Sequence, residues 1–375
     1  MKKMGLILPN NLWGRFLYLM LHEIATFFVV TQYVELYIIR SNLDLVLTNL
    51  KISMLSIVCI AKSNTCVFWQ VHWKNLIDYL TEADGFERNS DNSNIKIILD
   101  KYTKYCRRMT YNYWVLVFTT VLLTCCTPLI QIYSSSVYRD RLRNGTELFP
   151  HIFSSWVPID KYHSPGLWMT VVWHCMICFY GGLIMAAYDT TVIVAMVFFG
   201  GKLDILRERC KVMLGTSDNP VNDDEANIRT RELHLVHVLL LKYSRLFNSM
   251  LSPVMFLYII LCSLMLCASA YQLTLPVNAA QKLLMAEYLV FGVAQIFVFC
   301  WHSNDVLDKY EKMMLGPYES TWWESSLQQR KNILLLAGQF RIIKVFTAGP
   351  FTNLTLATFI TILKGSYSYY TLLRK

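Results

Sequence analysis

Charge is scarce in this chain: 16% of its 375 residues are Asp, Glu, Lys or Arg, against 54% hydrophobic residues and a mean hydropathy of +0.35. A water-soluble domain carries roughly 25% charged residues, so the shortage excludes an ordinary soluble globule. Catalytic patterns are missing too. There is no HExxH, no nucleophile elbow, no phosphate-binding loop and no pair of carboxylates in an apolar stretch. No catalytic residue, metal or cofactor is therefore expected. His234 and His237 stand three apart without such company, and a solvated helix face accounts for them. The eleven cysteines run from Cys59 to Cys300, while 134–166 has none, which excludes a disulfide-stapled surface there. Cys175 and Cys178 form a CxxC pair with no second pair nearby, the mark of buried thiols rather than a zinc site. The net charge of +9 is spread over many segments with no basic-aromatic alternation, so nucleic acid is not an expected partner. No small-residue cleavage site follows Met1-Lys2-Lys3, and the first apolar run reads as an uncleaved span. No internal repeat is visible, which weighs against a transporter built from inverted repeats.

What the chain has is apolar length. A bilayer core about 30 Å thick needs about 20 apolar residues per helix. Seven stretches qualify, at 16–39, 43–60, 113–133, 167–199, 254–275, 283–301 and 345–373. The second is interrupted by Lys51 and the last by Gly349-Pro350. The fourth exceeds the bilayer and should continue as helix beyond it. The stretches 231–247 and 325–340 are amphipathic and too polar to span, which suggests cytoplasmic helices that pack together. Two polar segments, 89–94 and 215–227, read as flexible linkers. The expected fold is all-α: one polytopic membrane domain over 1–375, with seven transmembrane helices and cytoplasmic helical extensions.

Orientation follows from Lys and Arg in alternate loops. With the N-terminus inside, 25 of the 35 fall in cytoplasmic segments, 8 outside and 2 within spans. Asn144-Gly145-Thr146, a glycosylation sequon, then lies outside, as does the C-terminus. This is the reverse of a G-protein-coupled receptor. The Asp140-Arg141 dipeptide lacks a following Tyr and lies in an outer loop, Asn219-Pro220 sits in a polar linker, and no cysteine serves an outer disulfide.

The stretch from Tyr318 to Leu373 carries a more specific pattern. Tyr318, Trp322-Trp323, Arg330-Lys331, Ala348-Gly349-Pro350-Phe351, Leu354, Phe359 and the run from Ile362 to Leu373 (ILKGSYSYYTLL) resemble the C-terminal signature of insect odorant receptors. Gln32-Tyr33-Val34-Glu35 is a further short match. The Thr-Tyr and Gln-Phe ending of gustatory receptors is absent, and Lys344-Val345 stands where many odorant receptors have Lys-Pro. The resemblance implies a ligand-gated, nonselective cation channel in the plasma membrane of olfactory sensory neurons. It implies a heterotetramer with the odorant receptor co-receptor, anchor helices at 302–344, and a last helix, 345–373, lining the pore. It also implies a pocket for a small volatile in the outer half of each bundle.

Within those expectations the residues suggest particular sites. In the last helix Lys364, Ser368 and Thr371 are unusually polar for a lipid-facing surface, and Leu372 offers a hydrophobic constriction. An interfacial aromatic belt is the plainer account of the neighbouring tyrosines. The pocket candidates are Ser53 and Met54 on the second span, Cys126 and Ile130 on the third, His174, Cys178 and Phe179 on the fourth, and Tyr288 and Phe291 on the sixth. Helix packing is the plainer account of any single one. Two other functions stay open: a seven-helix receptor signalling through a cytoplasmic partner without conducting, and a secondary transporter.

Overall fold

The computed structural model describes residues 4–41, 43–89, 92–134, 136–144, 148–216, 219–274 and 279–373. Its helices are α1 (Leu12–Ile38), α2 (Leu43–Phe68), α3 (Gln70–Arg88), α4 (Ser93–Ser134), α5 (Ser136–Arg143), α6 (Gly166–Lys211), α7 (Asp223–Leu273), α8 (Ala279–Glu311), α9 (Leu315–Tyr318), α10 (Leu327–Phe340) and α11 (Leu356–Leu373). Two short hairpins interrupt them, β1 (Gly215–Thr216) with β2 (Asn219–Pro220), and β3 (Thr347–Ala348) with β4 (Thr352–Asn353). Each of the seven apolar stretches has its own helix: α1, α2, α4, α6, α7, α8 and α11. α1, α4, α6, α7 and α8 are long and apolar enough to cross a membrane unaided. α2 is followed by α3 at a bend of 80°.

Local chemistry sets several of these boundaries. The Asn11 side chain accepts a hydrogen bond from the Trp13 amide at 3.3 Å and caps α1. Asp223, Asp224 and Glu225 fill the first turn of α7, where the helix dipole favours negative charge. α6 is apolar on every side and forms the axis of the bundle, packed against α2, α4, α7 and α8. Tyr188, Val192, Met196, Phe199 and Leu203 along it are all buried. With 46 residues α6 is about 69 Å long, and α7 with 51 residues about 77 Å. Both extend far beyond a bilayer core. The polar end of α6 is tied by ion pairs, Glu87 of α3 receiving Lys202 at 3.0 Å and Arg209 at 2.6 Å, and Asp204 receiving Lys309 of α8 at 3.3 Å.

The structure differs from the sequence reading in three places. The last helix starts at Leu356, not near 345, because 347–353 forms a hairpin with Thr347 opposite Asn353. Gly349 in its turn has φ +69°, and a Cβ there would stand 2.7 Å from the Phe256 ring. The Gly349 amide donates to the Ser252 carbonyl at 3.0 Å and the Thr347 amide to Asn248 Oδ1 at 2.8 Å, clamping the hairpin to α7. Within 215–227, read as a linker, Gly215 pairs with Pro220 and α7 already begins at Asp223. In the other linker, Ser90 and Asp91 lie outside the described residues. His237 is not on a solvated face. It is fully buried, stacked edge-on to Phe340 of α10 at 4.8 Å, and burial together with the adjacent His234 pushes its pKa down to about 4.

Candidate functional site

A cavity of about 120 Å³ lies inside the bundle, walled by α1, α2, α4, α6 and α8. Helical periodicity determines which side chains reach it. α2 presents Ile52, Leu55, Ser56, Cys59, Ile60 and Ser63, a single face at steps of three and four. α4 presents Val117, Thr120, Val121 and Thr124, and α1 presents His22, Ala25, Thr26 and Val29, each again one stripe. From α6 come Ile177, Tyr180, Gly181 and Met185, and from α8 Tyr288 and Phe291. The described lining includes no Asp, Glu, Lys or Arg.

The segment 148–165, read from the sequence as a loop, folds back over one end of this cavity. Phe153 lines it and meets Phe28 edge-on at 5.4 Å. The Trp156 amide donates to the Thr31 carbonyl at 3.1 Å, and Lys161 reaches Glu35 at 2.8 Å. Ser155 Oγ lies 2.9 Å from His174 Nε2. At the other end, one turn beyond Cys59, Met185, Val117 and Phe291, sits a polar floor. Lys62 Nζ is 2.6 Å from Asp189 Oδ1, and both side chains are 0% exposed. The Tyr113 hydroxyl donates to Asp189 Oδ2 at 2.6 Å and the Gln295 amide to the same oxygen at 2.5 Å. Tyr258 of α7 donates to Gln295 Oε1 at 2.7 Å. Five helices are thereby joined under the cavity.

Of the candidate pocket residues, Cys178, Tyr288 and Phe291 line the cavity. Ser53 and Met54 sit on α2 between lining residues; the Ser53 hydroxyl donates to the Asn49 carbonyl at 2.9 Å. Cys126 and Ile130 lie on α4 beyond Thr124, at the end away from the floor. His174 is buried against Phe28 and Phe153, under the folded-back segment and next to the cavity rather than on its wall. Phe179 points to the exposed side of α6. The sequence reading missed the whole of α1 and Phe153. The stripe at His22, Ala25, Thr26 and Val29 was there to be read.

On α11, Phe359 packs on Phe297 of α8 at 5.4 Å and the Ser366 hydroxyl donates to the Ser263 carbonyl of α7 at 3.4 Å. Lys364, Ser368 and Thr371 are exposed together on another face. The Leu372 side chain lies outside the described residues. Asn144 is exposed, while Gly145 and Thr146 of the sequon are not among the described residues.

Two adjacent glycines on α6 make a sharp test of the cavity. A Cβ on Gly182 would come 2.4 Å from Val121, whereas one on Gly181 would meet only Cys59 Sγ at 3.7 Å. Gly182→Ala should therefore lower the thermal stability of the purified protein, while Gly181→Ala should leave it intact and exclude the bulkier members of a ligand series. Equal behaviour of the two variants in melting and ligand-binding measurements would contradict this geometry.

The comparisons with known proteins agree with the architecture. A family model described as 7tm Odorant receptor matches residues 42–367, most of the chain. The chain belongs to the odorant receptor family. Odorant receptor 10 of Aedes albopictus is 26% identical over 289 residues, spanning 76% of this receptor and 72% of that protein. Odorant receptor Or2 of Anopheles gambiae is 29% identical over 139 residues, 37% of each chain. The olfactory receptor OR5 of Machilis hrabei, solved alone and in complex with eugenol, matches with a TM-score of 0.83 over 99% of this receptor and 96% of its own chain, at 16% identity. The receptor thus has the seven-transmembrane insect odorant receptor fold and is a multi-pass membrane protein. Its relatives and its fold are those of receptors, not enzymes.

Proposed function

We propose that this odorant receptor is the ligand-specific subunit of a ligand-gated, nonselective cation channel, assembled with the odorant receptor co-receptor in the plasma membrane of olfactory sensory neurons. The N-terminus is cytoplasmic and the C-terminus and Asn144 are outside, as the 25-to-8 distribution of Lys and Arg supports. A small, uncharged, mostly apolar volatile binds in the cavity, since burying a charge against a lining without counter-charges is costly.

The observation that carries the conducting role is the exposed face of α11. Its hydroxyls are satisfied within the helix: Ser368 donates to the Lys364 carbonyl at 3.0 Å and Thr371 to the Ser368 carbonyl at 2.7 Å. Those two groups alone would tolerate lipid. The Lys364 ammonium would not, and a cation at membrane depth faces water or a partner subunit. The face therefore suits a pore shared between subunits, with Thr371 and Leu372 near its narrowest part. The stretch 302–344 serves as the anchor; Leu334 and Leu335 of α10, both exposed in the single chain, fit contacts with neighbouring subunits, while Phe16, Phe27 and Val30 on the exposed face of α1 fit contacts with membrane lipid.

Voltage clamp of cells expressing the receptor with the co-receptor tests this. Ligand-evoked current should persist in excised patches without nucleotide, Leu372→Ala should raise current in the absence of ligand, and a tag ahead of Met1 should be reached by antibody only after permeabilisation. Responses that vanish on excision would favour signalling through a cytoplasmic partner instead.

A further inference from the structure

The cavity's hydroxyls can be counted by where their hydrogens go. Thr26 donates to the His22 carbonyl at 2.9 Å, Ser56 to that of Ile52 at 3.0 Å, Thr120 to that of Leu116 at 3.0 Å, and Thr124 to that of Thr120 at 2.8 Å. Thr124 has thus used its hydrogen, so the 3.0 Å contact between its oxygen and the Tyr288 hydroxyl has Tyr288 as donor. All of these groups keep acceptor lone pairs and have no hydrogen left to offer a ligand.

The corner at His22 is different. The His22 ring is 3% exposed, and its Nε2 lies 3.1 Å from the Gly5 carbonyl, an acceptor only, so Nε2 carries the proton. Nδ1 of the neutral ring then has one lone pair. Two hydroxyls address it, Ser63 at 2.7 Å and Tyr180 at 2.9 Å. Two hydrogens compete for one acceptor, and one is in surplus. Ser63, the closer, holds the ring; the phenolic hydrogen of Tyr180 is left to turn into the cavity that both residues line.

We propose that the His22 corner is a hydrogen-bonding subsite, and that the ligand class of the receptor is a small apolar molecule bearing one acceptor oxygen, of the ketone or ester carbonyl type, which accepts from Tyr180. This rests on the reading that the cavity holds the odorant, and it adds which end of the ligand points where: the oxygen toward α1 and α6, the apolar body toward Tyr288 and Phe291. An engineered cavity of about 150 Å³ accepts benzene, so the body is of roughly that size. A carbonyl buried without a donor loses its bond to water uncompensated, whereas here it regains one.

The test uses full-length receptor purified in detergent and matched ligand pairs in which a terminal methylene replaces the carbonyl oxygen, such as 2-heptanone against 2-methyl-1-heptene. The readout is the ligand concentration giving half-maximal thermal stabilisation, so it needs no current. The carbonyl member should act at about tenfold lower concentration. Tyr180→Phe should abolish that gap without moving the methylene member. Ser63→Ala should shrink the gap by another route, because Tyr180 then donates to Nδ1 itself; it serves if the tyrosine variant fails to fold. A gap unchanged in either variant, or no gap in the natural sequence, overturns the subsite. Phe291→Ala separates the two levels of the argument: it should weaken both members of a pair, and if it moves neither, the cavity is not the binding site at all.

Discussion

Asp189→Leu is expected to destabilise the receptor by about 3–5 kcal/mol, the cost of leaving one partner of a buried ion pair alone. The variant should be largely absent from the cell surface, and what can be purified should melt well below the natural protein. The reason is geometric. Lys62 and Asp189 have no exposed side-chain surface, so water cannot replace a lost partner. Removing the carboxylate strands the Lys62 ammonium over the rings of Tyr258 at 5.1 Å, Tyr188 at 5.6 Å and Phe299 at 5.7 Å. A cation over an aromatic face recovers only about 0.5–2 kcal/mol. The Tyr113 hydroxyl and the Gln295 amide lose their acceptor as well.

The opposite deletion is milder. Lys62→Met leaves Asp189 with two donors, the Tyr113 hydroxyl and the Gln295 amide. Adding Lys62→Met to Asp189→Leu should therefore raise the melting temperature of the Asp189 variant, because it removes the stranded charge. It should not restore it fully, since the Tyr113 and Gln295 groups remain unpaired at a cost of about 1–3 kcal/mol each. A double variant less stable than Asp189→Leu alone would show that the two charges are not a pair. The functional consequence is rigidity. Lys62, Asp189, Tyr113 and Gln295 each stand about one helical turn from a cavity-lining residue on the same helix, so the ion pair and its two hydrogen bonds hold four of the five walls in register.

This network also marks where sequence reasoning ran out. Hydropathy located seven apolar stretches because each is long, and length survives any error in rotation or depth. It ended the second span before Lys62, in the cytoplasmic count, and singled out nothing at Asp189, since residues 127 positions apart give no sign in one sequence that they meet. Rotation caused the misses on α2: Ser53 and Met54 have the right chemistry, but the face turned inward is that of Ile52, Leu55 and Ser56. Depth caused those on α4, where the stripe from Val117 to Thr124 lies nearer the floor than Cys126 and Ile130. The start of α11 was obscured because apolarity continues through 345–355, while the positive φ of Gly349 and its clamp to α7 are invisible to hydropathy. Tyr288 and Phe291 were legible for a simple reason: two rings three residues apart must share a helix face, and a neighbouring bundle has few places to put them other than inside.

That pair carries the largest effect expected on ligand recognition. Phe291 and Tyr288 are 3% and 7% exposed and supply the aromatic wall of the cavity. An aromatic contact adds about 0.5–1.5 kcal/mol beyond the area it buries, and area lost from a ligand adds to that. Phe291→Ala should thus raise the concentration of any bound odorant needed for a half-maximal response by tenfold or more, each factor of ten being about 1.4 kcal/mol. Truncating a buried Phe also costs about 3–5 kcal/mol of folding stability, so Phe291→Leu is the companion variant. It keeps most of the volume, should reach the surface, and should lose the ring's share of affinity only. Tyr288 separates shape from polarity. Tyr288→Ala should behave like Phe291→Ala, whereas Tyr288→Phe keeps the wall and removes only a hydroxyl that already spends its hydrogen on Thr124. The expected order of shifts is therefore Phe291→Ala and Tyr288→Ala large, Phe291→Leu intermediate, and Tyr288→Phe small. Dose-response curves that stay put in both alanine variants, at matched surface expression, would move the odorant out of this cavity.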